Sequence, residues 1–100
     1  MTIQTSREGG RLTVSLEGRL DTATAPELEE ALRDALSGVR EAAFDFRALE
    51  YISSAGLRVL LAVQKKLTAA GGGRAAVRGA NQTVREILEV TGFAEILAVE

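Results

Sequence analysis

Ser53 and Ser54 are the residues of this chain whose type and setting could do chemistry. They lie in "EYISSAGLRVLL", residues 50–61, between a β-like run and a helix-like run, and Ala55 and Gly56 follow them. The first reading is a helix cap. A serine oxygen at a helix start accepts a bond from an unpaired N–H of the first turn. The second reading is a nucleophile, which needs a base to take its proton, usually histidine. The chain has no His and no Cys. Lys65 and Lys66 are the remaining candidates, but they sit roughly 15 Å further along the same helix at about 1.5 Å per residue. "SSAG" also lacks the flanking glycines of a G-x-S-x-G elbow. Enzymatic chemistry is therefore not expected. The third reading is phosphorylation. Free N–H groups and the positive dipole end make a helix N-terminus ready for an anion, so a phosphate on Ser54 would be held there. Gly56 has two readings. It leaves the first turn open to phosphate or to a partner's backbone, or it lets the helix pack tightly on a strand.

Positioning these serines requires a strand before them and a helix after them. "AAFDFRAL", 42–49, places Ala42, Phe44 and Phe46 on one face and reads as a strand. Ser54 to Ala70 reads as a largely buried helix, apolar through Leu57, Leu60, Leu61, Val63 and Leu67, with Arg58, Lys65 and Lys66 on its wet side.

The rest of the chain supplies a sheet around this unit. "RLTVSLEG", 11–18, alternates Leu12, Val14 and Leu16 against Arg11, Thr13, Ser15 and Glu17, as a half-buried strand does. Thr2–Ser6 and the pair Gly9-Gly10 predict a hairpin with it. "TAPELEEALRDALSG", 24–38, predicts a helix with Leu28, Ala31, Leu32, Ala35 and Leu36 inward. Thr24 and Glu27 fit a capping box, Pro26 suits the first turn and Gly38 a stop. "RAAVRG", 74–79, reads as a short strand and "NQTVREILEVTG", 81–92, as a helix capped by Asn81. In that helix Val84, Ile87 and Leu88 face inward and Gly92 is the stop; "EILAVE" closes as a strand. The expected order is β-β-α-β-α-β-α-β, a mixed, mostly parallel α/β sheet in a single domain over residues 1–100. Sites in such sheets gather at the carboxyl ends of strands, here Gly18–Thr24 and Leu49–Ser54.

Composition narrows the partners. With 12 basic and 14 acidic residues the net charge is −2, too balanced for the basic face that nucleic acid selects. No basic amphipathic helix or run of like charge favours a membrane surface. The lack of Cys removes disulfides and thiolate metal sites and is compatible with a cytoplasmic location. No cofactor or metal is expected.

Three segments carry a family resemblance. "RALEYISSAGLRVLL" resembles the phosphorylation-site segment of bacterial anti-sigma factor antagonists, the STAS domains. "LEGRLDTATAPEL", 16–28, resembles their second strand, loop and first helix, and "NQTVREILEVTGFAEIL" their third helix and end. The resemblance runs in order over nearly the whole chain. It implies a protein that binds an anti-sigma factor, itself a serine kinase, and is released when that kinase phosphorylates it. A serine phosphatase resets the switch, and transcription is the usual output. Carried over by position, the acceptor is Ser54, with Ser53 the second choice. Many members place Asp where Ser53 stands. Asp21 by itself reads equally as a turn residue bonding its own backbone; the resemblance matches it to a loop aspartate that contacts the partner and favours that role. The implied partner surface comprises Asp21, Thr22, Thr24, Ser53, Ser54, Gly56, Leu57 and Arg58. The alternative within the resemblance is an accessory subunit of a transporter or larger signalling assembly.

Overall fold

A computed structural model describes all 100 residues. β1 (Thr2–Glu8) and β2 (Arg11–Leu20) form the expected hairpin, followed by α1 (Ala25–Ala35), β3 (Glu41–Ile52), α2 (Ser54–Ala69), β4 (Ala76–Arg78), α3 (Gln82–Val90), α4 (Phe93–Ile96) and β5 (Ala98–Val99). The sheet order is β1-β2-β3-β4-β5. β1 is antiparallel to β2, and every later pairing is parallel. The mixed, mostly parallel α/β sheet expected from the element pattern is therefore present.

Strand order follows chain order, so each right-handed crossover steps the same way and leaves its helix on the same face. The register shows the result. Val14, Phe44, Val77 and Val99 lie in one row across four strands, and the first three are fully buried. The neighbouring row, Ser15, Asp45 and Arg78, belongs to the other face, which no helix covers. Parallel sheets are normally covered on both faces; here the bare face is polar and small-chained instead. One continuous core of 23 buried residues lies between sheet and helices.

Several expected boundaries shift. β3 runs to Ile52 rather than Leu49, and its register against β2 slips twice on the way, between Ser15 and Glu17 and between Gly18 and Arg19. The buried residues Phe46, Leu49 and Ile52 then recur every third position, and the period of two is lost. α1 is shorter than 24–38, and the capping box does not form: the Thr24 hydroxyl makes no cap bond. It donates instead to the Arg19 carbonyl (2.7 Å) and accepts from the Asp21 N–H (2.9 Å). Leu28 and Leu32 are buried, but Ala31 is exposed and Leu36, the C-cap, is half-buried. Leu61 is likewise only half-buried. "EILAVE" is not one strand. After Gly92, at φ +82°, the chain makes the single turn of α4 before Leu97 enters the core.

Gln64 is the one polar residue buried as a whole. Its Oε1 accepts from the Ala75 N–H (2.7 Å), and its Nε2 donates to the Gly73 carbonyl (3.1 Å) and Thr68 Oγ1 (3.2 Å). It pins the glycine loop as the chain turns back toward β4.

Candidate functional site

The carboxyl edge of the sheet gathers the predicted residues. Leu20 and Ile52 are register partners, and the Ser53 N–H donates to the Leu20 carbonyl at 2.9 Å. The chain leaves β2 into Asp21 at the same level as it leaves β3 into Ser53. The aspartate loop and the serine pair therefore share one edge.

Ser53 is the N-cap of α2 by backbone geometry, extended at φ −102° and ψ 177°, and its carbonyl accepts from the Leu57 N–H. Its hydroxyl makes no cap bond. Ser53 Oγ is instead buried without any hydrogen-bond partner. Ser54 is the first helical residue and is exposed. The first turn of α2 carries no acidic side chain, so nothing there offsets the positive end of the helix dipole. One occluded hydroxyl and one open hydroxyl thus stand at the same helix mouth.

The two readings of Gly56 are resolved by direction. Gly56 is buried, and a Cβ there would lie 2.6 Å from Leu20 Cγ and 2.9 Å from Ile52 Cγ1. The glycine lets α2 seat on the sheet, and its open side does not face solvent. Leu57 is also buried in the core. Neither residue presents a side chain to a partner, so any contact they make is through the backbone. Thr22 and Arg58 are exposed, and Asp21 and Thr24 are half-buried.

Asp21 folds back on its own loop. Its Oδ1 accepts from the N–H groups of Ala23 (3.0 Å) and Thr24 (3.2 Å). Partial burial raises the Asp21 carboxyl pKa. The Thr24 and Ala23 N–H groups, the Thr24 hydroxyl and the Arg19 charge outweigh that and hold it below the ordinary aspartate value. Arg19 lies 3.9 Å from Asp21 Oδ2, and its guanidinium sits 4.7 Å from the centroid of the Tyr51 ring. Arg19 and Tyr51 are register partners. The sequence reading missed both because Tyr51 follows the second slip. It also assigned Asn81 only a cap. Asn81 Oδ1 does accept from the Val84 N–H (2.8 Å), while its Nδ2 donates to the Leu49 and Glu50 carbonyls. That side chain fastens the start of α3 to the end of β3, beside the serines.

Comparison with known proteins follows the same outline. The family model "Mlab, STAS domain" matches residues 3–98. BtrV of Bordetella bronchiseptica, a protein assigned as an anti-sigma factor antagonist, is 38% identical over 91 residues, covering 90% of this chain and 78% of that one. The crystal structure of an anti-sigma factor antagonist from Mycobacterium paratuberculosis superposes with a TM-score of 0.82 at 27% identity, covering 98% of this chain and 83% of that one. The Bacillus cell fate determinant SpoIIAA in its phosphorylated form shares the fold, with a TM-score of 0.76 at 19% identity over 99% of this chain and 91% of that one.

Proposed function

The chain belongs to the STAS-domain family of anti-sigma factor antagonists, and from that premise we propose that it is a phosphorylation-controlled partner switch. The unmodified chain binds an anti-sigma factor that is a serine kinase and so frees that factor's target. Phosphorylation of Ser54 ends the binding, and a serine phosphatase restores it. The carrying observation is the exposed Ser54 hydroxyl on the first residue of α2, beside the occluded Ser53 hydroxyl. A kinase reaches the open one.

Magnitudes explain why such a switch acts on binding rather than on folding. Phosphate adds about −1.5 to −2 charge. At the start of α2 the helix dipole favours that charge by about 0.3–1 kcal/mol, so the fold is retained. In a docked interface an uncompensated charge costs about 2–5 kcal/mol, which is roughly a 30-fold or greater loss of affinity. The half-buried, ionised Asp21 leaves the same sheet edge, and the exposed Arg58 lies one helical turn beyond Ser54; together they would give the partner a charged frame around a neutral centre.

The test is intact-mass measurement and site mapping after incubation with the cognate kinase and ATP. One phosphate at Ser54 is expected, none on Ser54→Ala, and persistent binding by that variant. Ser54→Asp should bind more weakly. Phosphate confined to Ser53 would overturn the site. Retention of a transporter, rather than an ATP-binding serine kinase, by the immobilised chain would overturn the function.

A further inference from the structure

We propose that β1 is a self-pairing edge, and that two copies of this chain associate through an antiparallel β1–β1 contact centred on Thr5. The two edges of the sheet are unequal. β5 offers two residues, whereas β1 offers seven, Thr2–Glu8, paired to β2 without a register slip. Six of the seven are exposed. A long edge without bulge or proline is a template for another strand. The one cation on it is turned away: Arg7 donates through Nε to the Gly9 carbonyl (2.9 Å) and through Nη1 to the Ser37 carbonyl (2.6 Å).

The pairing register follows from backbone chemistry. Glu8 and Arg11 flank the two-residue Gly9-Gly10 turn and are partners, so they form a hydrogen-bonded pair, and such pairs alternate along the ladder. Thr2, Gln4, Ser6 and Glu8 therefore spend their backbone groups on β2. The N–H and C=O of Ile3, Thr5 and Arg7 point outward, and none of the backbone bonds made outside helices and strands involves them. A second β1 uses all three residues in one register: Thr5 opposite Thr5 on a two-fold axis, and Ile3 opposite Arg7 on either side. This register places no like charges opposite one another. Sliding one way abandons the outward groups of Ile3 and, one step further, sets Arg7 against Arg7; sliding the other way abandons the outward groups of Arg7. The two sheets then join into one, with their carboxyl edges facing opposite ways. Both Ser54 sites stay open, so this association is separate from the switch.

The contact is below the size of a standard interface, about 1,600 Å², so the dimer is concentration-dependent. Sedimentation equilibrium of the intact chain should show the mass rising from one chain toward two with concentration. Thr5→Pro removes only an outward N–H and should stay at one chain's mass while keeping its circular dichroism. Thr5→Cys gives an independent reading, since the chain has no cysteine. On the axis, hydrogen-bonded partners lie about 5.5 Å apart between Cα atoms, within the disulfide range of about 4.4–6.8 Å. Thr5→Cys should cross-link under mild oxidation faster than Ser6→Cys. A constant single-chain mass, a Thr5→Pro variant that still dimerises, or equal cross-linking of the two cysteine variants would each overturn the proposal.

Discussion

Gly56 and Leu20 are in contact across the helix–sheet boundary with no room between them. A Cβ on residue 56 would meet Leu20 Cγ at 2.6 Å, and Leu20 is fully buried. The atom in the way is a branch point and not a mobile tip, and Ile52 Cγ1 blocks the same space at 2.9 Å. Alanine would gain about 1 kcal/mol of helix propensity but cost about 1–3 kcal/mol by overpacking. Gly56→Ala is expected to lower the urea midpoint. An unchanged or raised midpoint would show that α2 lifts away without penalty.

The orphaned hydroxyl of Ser53 carries the opposite sign. A buried polar atom without a partner costs about 1–3 kcal/mol, and Ser53 Oγ caps nothing. Ser53→Ala should leave stability unchanged or raise it, although serine is a favoured N-cap elsewhere. A loss of 1 kcal/mol or more, about the value of a working cap, would mean that the hydroxyl bonds the first turn in solution.

Leucines of α1 should divide by burial. Leu32 is 2% exposed and belongs to the core, whereas Leu36 only packs against it. Leu32→Ala should cost about 2–5 kcal/mol through a cavity, and Leu36→Ala clearly less. Equal losses in denaturant titrations would contradict the observed end of the helix at Ala35.

Acid should weaken the fold through Asp21 and Asp45. The Arg47 side chain, its N–H and its charge hold Asp45 below 3.8, and the loop N–H groups do so for Asp21 against its partial burial. Folded carboxyls with lowered pKa bind protons less readily than unfolded ones, so stability rises with pH across their titration. The contribution is fully present above the ordinary value of 3.8 and is lost as pH falls through the lower folded values. Asp21→Asn keeps an acceptor for the turn but cannot titrate. It should shrink the gap in stability between pH 7 and strong acid; a gap equal to the parent's would remove Asp21 as a source.

Much of this was legible in the sequence because one face of each element meets the core. The period of two gave β2 and the first half of β3, and the i, i+3, i+4 spacing gave α1, α2 and α3. Legibility failed where tertiary contacts replaced local ones. The double slip in β3 broke the alternation and hid Tyr51 and its contact with Arg19. The Thr24–Glu27 pattern looked like a capping box, but Asp21 and the Arg19 carbonyl compete for the Thr24 hydroxyl and prevail. α4 was unreadable because a single turn has no period. At the serines, their place at a helix mouth was readable from local pattern. Which of them is open depends on packing between β2, β3 and α2, which no local pattern encodes.

The coincidence of strand order with chain order has a consequence for how the molecule assembles and frays. Each parallel pairing closes a loop of similar length, so none awaits the meeting of distant ends, and closure entropy grows only slowly with loop length. The fold can grow coil by coil from the hairpin, with β2–β3 as the longest ladder and β4–β5, two residues wide, as the last. The same grading sets the order of local opening under native conditions. Amide exchange should release β5 first and retain Val14 and Phe44 longest.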